Sequence, residues 1–215
     1  MTGVVTDLDR LALADWRRRV GELHADVRRM ARDDPQAAWQ QWVAGREELF
    51  RDHTQSPVPR EQRAAFRAHH WPYDPAVRFE TSVIPAPPAP PGALPLDLPN
   101  SGTDSLAFSR IGAVEIPFAN GPRRLSLFWM AGYAGGLFLP FRDATNGSET
   151  YGAGRYLLDT AKSADLGGDA ERGTLVLDFN FAFHPSCAFD PQWACPLAPP
   201  ENRLDLPIRA GELLT

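Results

Sequence analysis

Residues 123–141, RRLSLFWMAGYAGGLFLPF, contain two short apolar segments separated by glycines. In the first segment Leu125, Leu127 and Trp129 stand at every second position, which is the side-chain period of a β-strand. The glycine pair at 135–136 is typical of a tight hairpin turn. The stretch therefore predicts two neighbouring strands: residues 123–130 and 134–141.

Further short strands are predicted on both sides of this hairpin, and no helical pattern separates them. The predicted ranges are 77–84, 104–109, 111–118 and 174–183. Asn120-Gly121 is a second hairpin signal. Short strands joined by tight turns favour an antiparallel sheet that is strongly curved or closed into a barrel.

Two amphipathic helices are predicted before the strands. In the first, Trp16, Val20 and Leu23 recur at helical spacing. The second begins at the pair 34–35, an Asp-Pro start signal, and a short third helix is predicted over 60–69. The apolar face of the second helix contains Trp39, Trp42, Val43, Arg46, Leu49 and Phe50.

These patterns predict an α+β fold in which N-terminal helices pack on a strongly curved antiparallel β-sheet or barrel. We expect an N-terminal helical region over 1–72 and an antiparallel β domain over 73–215, packed as one compact unit. The proline-rich stretch 85–99 is predicted to be a stiff loop that does not pair in the sheet, because proline lacks an amide donor.

The composition is that of a soluble globular protein. Of the 215 residues, 43% are hydrophobic and 23% are charged, and the net charge of -5 gives no basic field for nucleic acid. No segment has the apolar length of a membrane helix, and the N-terminus lacks a signal-peptide pattern. We therefore expect a cytoplasmic protein that binds neither nucleic acid nor membrane, with its two cysteines reduced.

The predicted strand 174–183 carries an apolar row on one face and a polar row on the other. Asp178, Asn180 and His184 belong to the polar row. Two interpretations remain open: the polar row faces water, as in many antiparallel sheets, or it lines a cavity.

Two kinds of chemistry use the cysteines. His184, Cys187 and Cys195 have the spacing H-x2-C-x7-C, which offers zinc ligands but no local fourth ligand. Alternatively, Cys187 is a nucleophile, with His184 as its base and Asp178 as the orienting acid. The simplest alternative is that both cysteines are small buried apolar residues. We assign no residue to a metal.

A third candidate is an arginine-rich site for an acidic ligand, because guanidinium groups bind carboxylate and phosphate in two-point contacts. The alternative is that these arginines pair with neighbouring acids and stabilise the fold. The candidate ligand-binding residues are Arg142, Asp143, Glu149, Tyr151, Arg155, Tyr156, Asn180, Asn202, Arg203 and Arg209.

Four motifs occur in order along the chain: REELFRDHTQSPV, FLPFRDATNGSETYGAGRYL, LDFNFAFHPSCAF and CPLAPPENRLDLPIRAGE. From about Arg46 to Glu212 the sequence resembles the bacterial family called domain of unknown function 1684. The resemblance implies no settled activity, cofactor or substrate. The chain departs from the family at His184, where Asn is usual, and at Phe183 and Phe189, where Tyr is usual.

Three functions remain open from the sequence. The first is a small-molecule enzyme whose polar pocket binds an acidic group, with Asp178 as general base or orienter and Arg155 as the anion clamp. The second is a non-catalytic domain that binds a small ligand or a partner. The third is a structural zinc domain. The sequence identifies no cofactor, substrate or oligomeric state.

Overall fold

The computed structural model describes residues 7–88, 90, 95–102, 106–133 and 135–214. Two helices, α1 (Asp7–Met30) and α2 (Pro35–Asp52), precede the strands. The Asp34 side chain accepts a hydrogen bond from the Ala37 amide at the start of α2, as expected of a helix cap. The strands are β1 (Arg78–Pro85), β2 (Leu96–Asp97), β3 (Ala107–Phe118), β4 (Gly121–Met130), β5 (Gly136–Phe141), β6 (Arg155–Asp159), β7 (Gly168–Asp169) and β8 (Thr174–Asp178).

The strands form one antiparallel sheet that curls into a half-barrel. Its order is β6-β5-β4-β3-β1-β8-β7, and β2 adds to β3. The β3–β4 hairpin closes where Phe118 pairs with Gly121, at the predicted turn. Near Arg110 and Gly112 the register shifts, so the strands predicted over 104–109 and 111–118 are one bulged strand. Residues 104 and 105 lie outside the described part of the chain. The predicted α+β fold is confirmed.

The main core packs against this sheet. Val114, Leu125 and Leu139 have no exposed surface, and each such side chain stabilises the fold by roughly 1.5–3 kcal/mol. A second cluster joins the helices to the sheet, where Trp42 of α2 packs on Phe181 at a ring distance of 5.3 Å.

The strand predicted over 174–183 ends at Asp178. The Asp178 side chain accepts the Asn180 amide N–H at 3.0 Å and starts a 3₁₀ turn, Phe179–Phe181. Phe179 and Asn180 are both buried, so the alternation of faces stops there. The prediction of a continuous strand was wrong because a local side-chain cap competes with the sheet.

Two smaller predictions also need correction. The third helix is a 3₁₀ helix, Arg60–Ala65. The proline-rich stretch does pair with the sheet at β2, where Leu96 faces Phe108; no proline occupies those two positions. Residues 89 and 91–94 of the stretch lie outside the described chain.

Within the described residues, no helix combines the length and the apolar character needed to cross a membrane.

Candidate functional site

A pocket of about 90 Å³ lies between α1, α2 and the segment that follows the 3₁₀ turn. Its aromatic lining consists of Trp16, Trp42, Phe50, Tyr156 and Phe183. Its polar lining consists of His24, Arg46, Lys162, His184 and Ser186. Among the described residues, no aspartate or glutamate lines it.

Arg46 occupies the apolar face of α2 and reaches the pocket between aromatic rings. Its guanidinium carbon lies 4.1 Å from the centre of the Phe50 ring and 5.2 Å from that of Phe183, within cation–π range. Nη2 donates to Glu212 Oε2 at 2.9 Å and Nε donates to Oε1 at 3.3 Å. The two-point ion pair holds the guanidinium in place at the pocket wall.

Glu212 lies behind this wall and is buried. Its Oε2 also accepts the His184 amide N–H at 2.6 Å. Burial opposes the charged form of Glu212, but the charges of Arg46 and the two nearby histidines outweigh burial and lower its pKa to about 2. The preceding Gly211 has a φ of 79°, and a Cβ there would lie 2.5 Å from the Ala182 carbonyl oxygen, so this close approach needs glycine.

Two pocket histidines are held neutral. The His24 Nδ1 lies 3.0 Å from the Val20 carbonyl oxygen, which places the proton on Nδ1. The His184 Nε2 accepts the Tyr151 amide N–H at 3.2 Å, so its proton is on the other nitrogen. Burial lowers the pKa of both rings to about 4.

This burial predicts a pH-dependent stability. Because the folded pKa values of His24 and His184 lie near 4 and the unfolded value is near 6.5, the unfolded chain binds more protons in that window. Each histidine should therefore reduce the free energy of unfolding by about 2 kcal/mol between about pH 7.5 and about pH 5. Urea unfolding at several pH values measures the slope.

In His184→Asn the loss of stability between about pH 7.5 and about pH 5 should be smaller by about 2 kcal/mol, the contribution of one histidine. The matched control variant is His69→Gln, which replaces an exposed histidine. An equal slope in wild type and His184→Asn would contradict the prediction.

Arg155 and Asp143, predicted to bind a ligand, form a fully buried ion pair away from the pocket. Arg155 Nη2 donates to Asp143 Oδ2 and to the Ile208 carbonyl oxygen, each at 2.8 Å, and Nη1 donates to the Ala210 carbonyl oxygen. Burial lowers the pKa of Arg155, and the charge of Asp143 opposes that effect. Through these hydrogen bonds the ion pair holds the 208–210 segment in place.

Asp178 and Asn180 lie in another buried network. Asp178 Oδ2 accepts from the Tyr73 hydroxyl and from Arg78, each at 3.2 Å. The Asn180 side chain bonds both backbone groups of Asp74. Burial raises the pKa of Asp178, and the bonds from Asn180 counteract the rise. Arg78 is the cation paired with Asp178, whereas Arg155, the expected anion clamp, is paired with Asp143.

The other predicted ligand-binding residues are spread over the molecule. Arg209 and Glu149 form an exposed ion pair at 3.0 Å, and Arg203 is exposed. Arg142 donates to the Gly152 carbonyl oxygen, while the Asn202 side chain bonds the backbone of Ser126 and Pro140. Tyr151 is half-buried beside Cys187. Of all the predicted site residues, only Tyr156 and His184 line the pocket.

The nucleophile hypothesis for Cys187 needs His184 and Asp178, and both side chains are bonded elsewhere. His184 bonds the Tyr151 amide, and Asp178 belongs to the separate network with Tyr73 and Arg78. Within the described chain, no group of three or more His, Cys, Asp or Glu side chains could hold a metal.

Sequence reasoning missed His24, Arg46, Lys162 and Glu212 as site residues. Arg46 carried a usable signal, because a charged residue on an apolar helix face must find a buried partner. His24 and Lys162 carried none, since only the fold brings them to one pocket.

Comparison with known proteins gives a family and a fold. A family model described as "Protein of unknown function (DUF1684)" matches residues 65–213. No functionally curated protein matches the chain. The solution NMR structure of an uncharacterised protein of Haloarcula marismortui is similar, with a TM-score of 0.58 and 29% sequence identity over 83% of this chain and 93% of that chain. These similarities assign no activity to the chain, so any inference about function depends on the candidate site.

Proposed function

The chain belongs to the DUF1684 family of proteins of unknown function, and we propose that its helix–sheet pocket binds a small organic acid. The observation that carries the proposal is the charge of the lining. Arg46 and Lys162 line the pocket, and no described aspartate or glutamate does. Each cation has a carboxylate partner outside the lining, Glu212 for Arg46 and Asp159 for Lys162, so the pocket offers an anion directed N–H donors rather than a net positive charge.

Arg46 is the donor expected to bind the acid. Its Nε and Nη2 are engaged by Glu212, and no acceptor among the described residues bonds Nη1. Glu212 also fixes the orientation of the guanidinium, so a ligand carboxylate meets a donor that is already ordered. Lys162, whose side chain is 60% exposed and lies 3.1 Å from Asp159 Oδ2, offers a second ammonium donor at the rim.

The remaining lining describes the rest of the ligand. Aromatic rings from both helices and the sheet favour a flat apolar body. A volume of about 90 Å³ accommodates roughly a single small ring or a short branched chain. The unprotonated Nε2 of His24 offers an acceptor for a ligand hydroxyl or N–H group.

Binding without turnover is favoured over catalysis. The predicted catalytic Asp178 does not line the pocket, and the His184 Nε2 is occupied by a backbone amide. With its pKa lowered to about 4, His24 is a weak base at neutral pH.

The expected result is that small aromatic and branched carboxylates bind and shift the indole N–H signals of Trp16 and Trp42 in a ¹⁵N–¹H NMR titration. The matching neutral amides should bind roughly tenfold more weakly, because they lose one charge-assisted contact. Equal affinity for acids and amides would contradict the assigned role of Arg46.

Two variants on α1 locate the site. Val20→Phe fills the pocket and should abolish binding, whereas Ala14→Phe adds the same ring at an exposed position and should leave binding intact. Binding that survives Val20→Phe would place the ligand elsewhere. Hydrolysis of an ester or amide that Val20→Phe abolishes would establish the enzyme interpretation instead.

A further inference from the structure

A second concave surface, of about 270 Å³, lies where the C-terminal end of α1 meets β1, β7 and β8. Its charged lining consists of Arg28, Arg32, Arg78, Glu80 and Asp169. Among the described residues, it shares none of its lining with the helix–sheet pocket. Three guanidinium groups, two from the end of α1 and one from the first residue of β1, therefore line one cleft, which we call the arginine cleft.

Partners outside the lining hold two of these guanidinium groups in place. Arg28 Nη1 donates to the Asp165 carboxylate and to the Asp165 carbonyl oxygen, each at 3.2 Å. Arg78 Nη1 donates to the buried Asp178 carboxylate at 3.2 Å, and its Nη2 donates to the Ala31 carbonyl oxygen at 3.4 Å. No acceptor in the described part of the chain bonds Nε or Nη2 of Arg28, or Nε of Arg78. Each group thus keeps N–H donors that are already oriented.

Arg32 supplies the third guanidinium, which is unpaired among the described residues. Its side chain is exposed, and it forms no hydrogen bond or ion pair with any residue that the structure describes. Asp165 and Asp178 offset the charges of Arg28 and Arg78, whereas no such partner offsets Arg32. An anion in the cleft therefore gains one unpaired cation and oriented donors from two more.

The two carboxylates of the cleft already have donors. Glu80 Oε1 accepts the Thr174 hydroxyl at 3.1 Å. Asp169 Oδ1 accepts the amide N–H groups of Glu171 and Arg172 at 2.9 and 3.0 Å, and Asp169 Oδ2 lies 3.5 Å from Arg172 Nε. Within the described chain no ion pair joins either carboxylate to an arginine of the cleft, so an entering anion does not have to displace one.

We propose that the arginine cleft binds the phosphate group of a small molecule. A phosphate has tetrahedrally arranged oxygens that accept two-point contacts from guanidinium groups on several sides, while a carboxylate has only two oxygens. Ala31, Leu166 and Val176 give the cleft an apolar part, and its volume exceeds the room that one phosphate group needs. The ligand is therefore a phosphomonoester with a short organic body. This role is separate from ligand binding in the helix–sheet pocket and does not depend on it.

Isothermal titration calorimetry with inorganic phosphate, glycerol 3-phosphate and acetate tests the ligand class, at about 0.15 M ionic strength. Both phosphates should bind at one saturable site per chain, and glycerol 3-phosphate should bind at least as tightly as inorganic phosphate. Acetate should bind at least about tenfold more weakly, because it meets fewer of the three arginines. Equal affinity for acetate, exclusion of glycerol 3-phosphate, or no saturation below about 10 mM phosphate would overturn the proposal.

Arg32→Gln is the decisive variant, because it removes an exposed and unpaired side chain and should leave the fold intact. The affinity for phosphate should fall roughly tenfold, the loss of one charge-assisted contact. Arg29→Gln makes the same charge change at an exposed neighbouring position that does not line the cleft, and should change the affinity by less than about twofold. Equal affinities in wild type and Arg32→Gln would overturn the proposal.

Val20→Phe separates this site from the helix–sheet pocket, which Val20 lines. Phosphate binding should survive Val20→Phe, and binding of the small carboxylates should survive Arg32→Gln. Loss of phosphate binding in Val20→Phe would place the phosphate in the helix–sheet pocket and overturn the proposal, whatever the affinity of that pocket for organic acids.

Discussion

Replacing Asp143 by alanine is expected to lower the free energy of unfolding by about 3–5 kcal/mol, because it leaves a buried guanidinium without its counter-ion. Neither side chain of the Arg155–Asp143 pair has exposed surface. The same change removes the acceptor for the Thr145 amide and hydroxyl, at 2.7 and 2.6 Å. Urea unfolding measures the loss.

A double-mutant cycle separates the ion pair from these other bonds. Arg155→Met should also be strongly destabilising, and the Asp143→Ala/Arg155→Met chain should be more stable than the sum of the two losses predicts, by at least about 1 kcal/mol. Strict additivity would show that the two charges do not depend on each other. Asp205→Ala, which breaks the exposed pair with Arg123, is the matched surface control and should change little.

Glu212→Gln is the second large effect. The glutamine can still accept the His184 amide N–H, but it leaves the Arg46 charge without its carboxylate, and the Arg46 side chain is only 12% exposed. Removing one partner of a buried ion pair and leaving the other charge uncompensated costs about 3–5 kcal/mol. The free energy of unfolding at neutral pH should fall by about that amount.

The pH dependence has a definite sign. The folded pKa of Glu212 is depressed, so its contribution is fully present above about pH 4.5 and is lost as the pH falls toward about 2. This acid limb should be shallower in Glu212→Gln. An acid limb of equal slope in wild type and Glu212→Gln would assign it to other carboxylates.

The periodicity of apolar residues predicted most of the fold. The alternation over β1 and β4 predicted strands because each has one face on the core. The Asn120-Gly121 signal predicted the turn that joins β3 to β4. Periodicity failed after Asp178, where Phe179 continues the apolar row but the Asp178 carboxylate caps a turn. An alternation of apolar residues in the sequence does not distinguish a strand from a capped 3₁₀ turn in which every side chain is buried.

The candidate site was less predictable because the sequence shows which residues are charged but not which of them pair in the fold. Arg155 and Arg209 were both predicted to bind an acidic ligand. In the structure one is buried with Asp143 and the other is exposed with Glu149. The arginine that does line the pocket, Arg46, is 166 positions from its partner Glu212, a separation that no local pattern reports.

The 202–212 segment has a consequence for synthesis. It supplies the carbonyl oxygens of Ile208 and Ala210, which accept from Arg155, and the Glu212 carboxylate, which accepts from Arg46. Both arginines are synthesised much earlier than these partners. Chains emerge N-terminus first at about 5–20 residues per second. The nascent protein therefore waits about 3–11 s for the last carbonyl partner of Arg155 and about 8–33 s for the carboxylate partner of Arg46. Its final collapse is timed by the emergence of a few late residues.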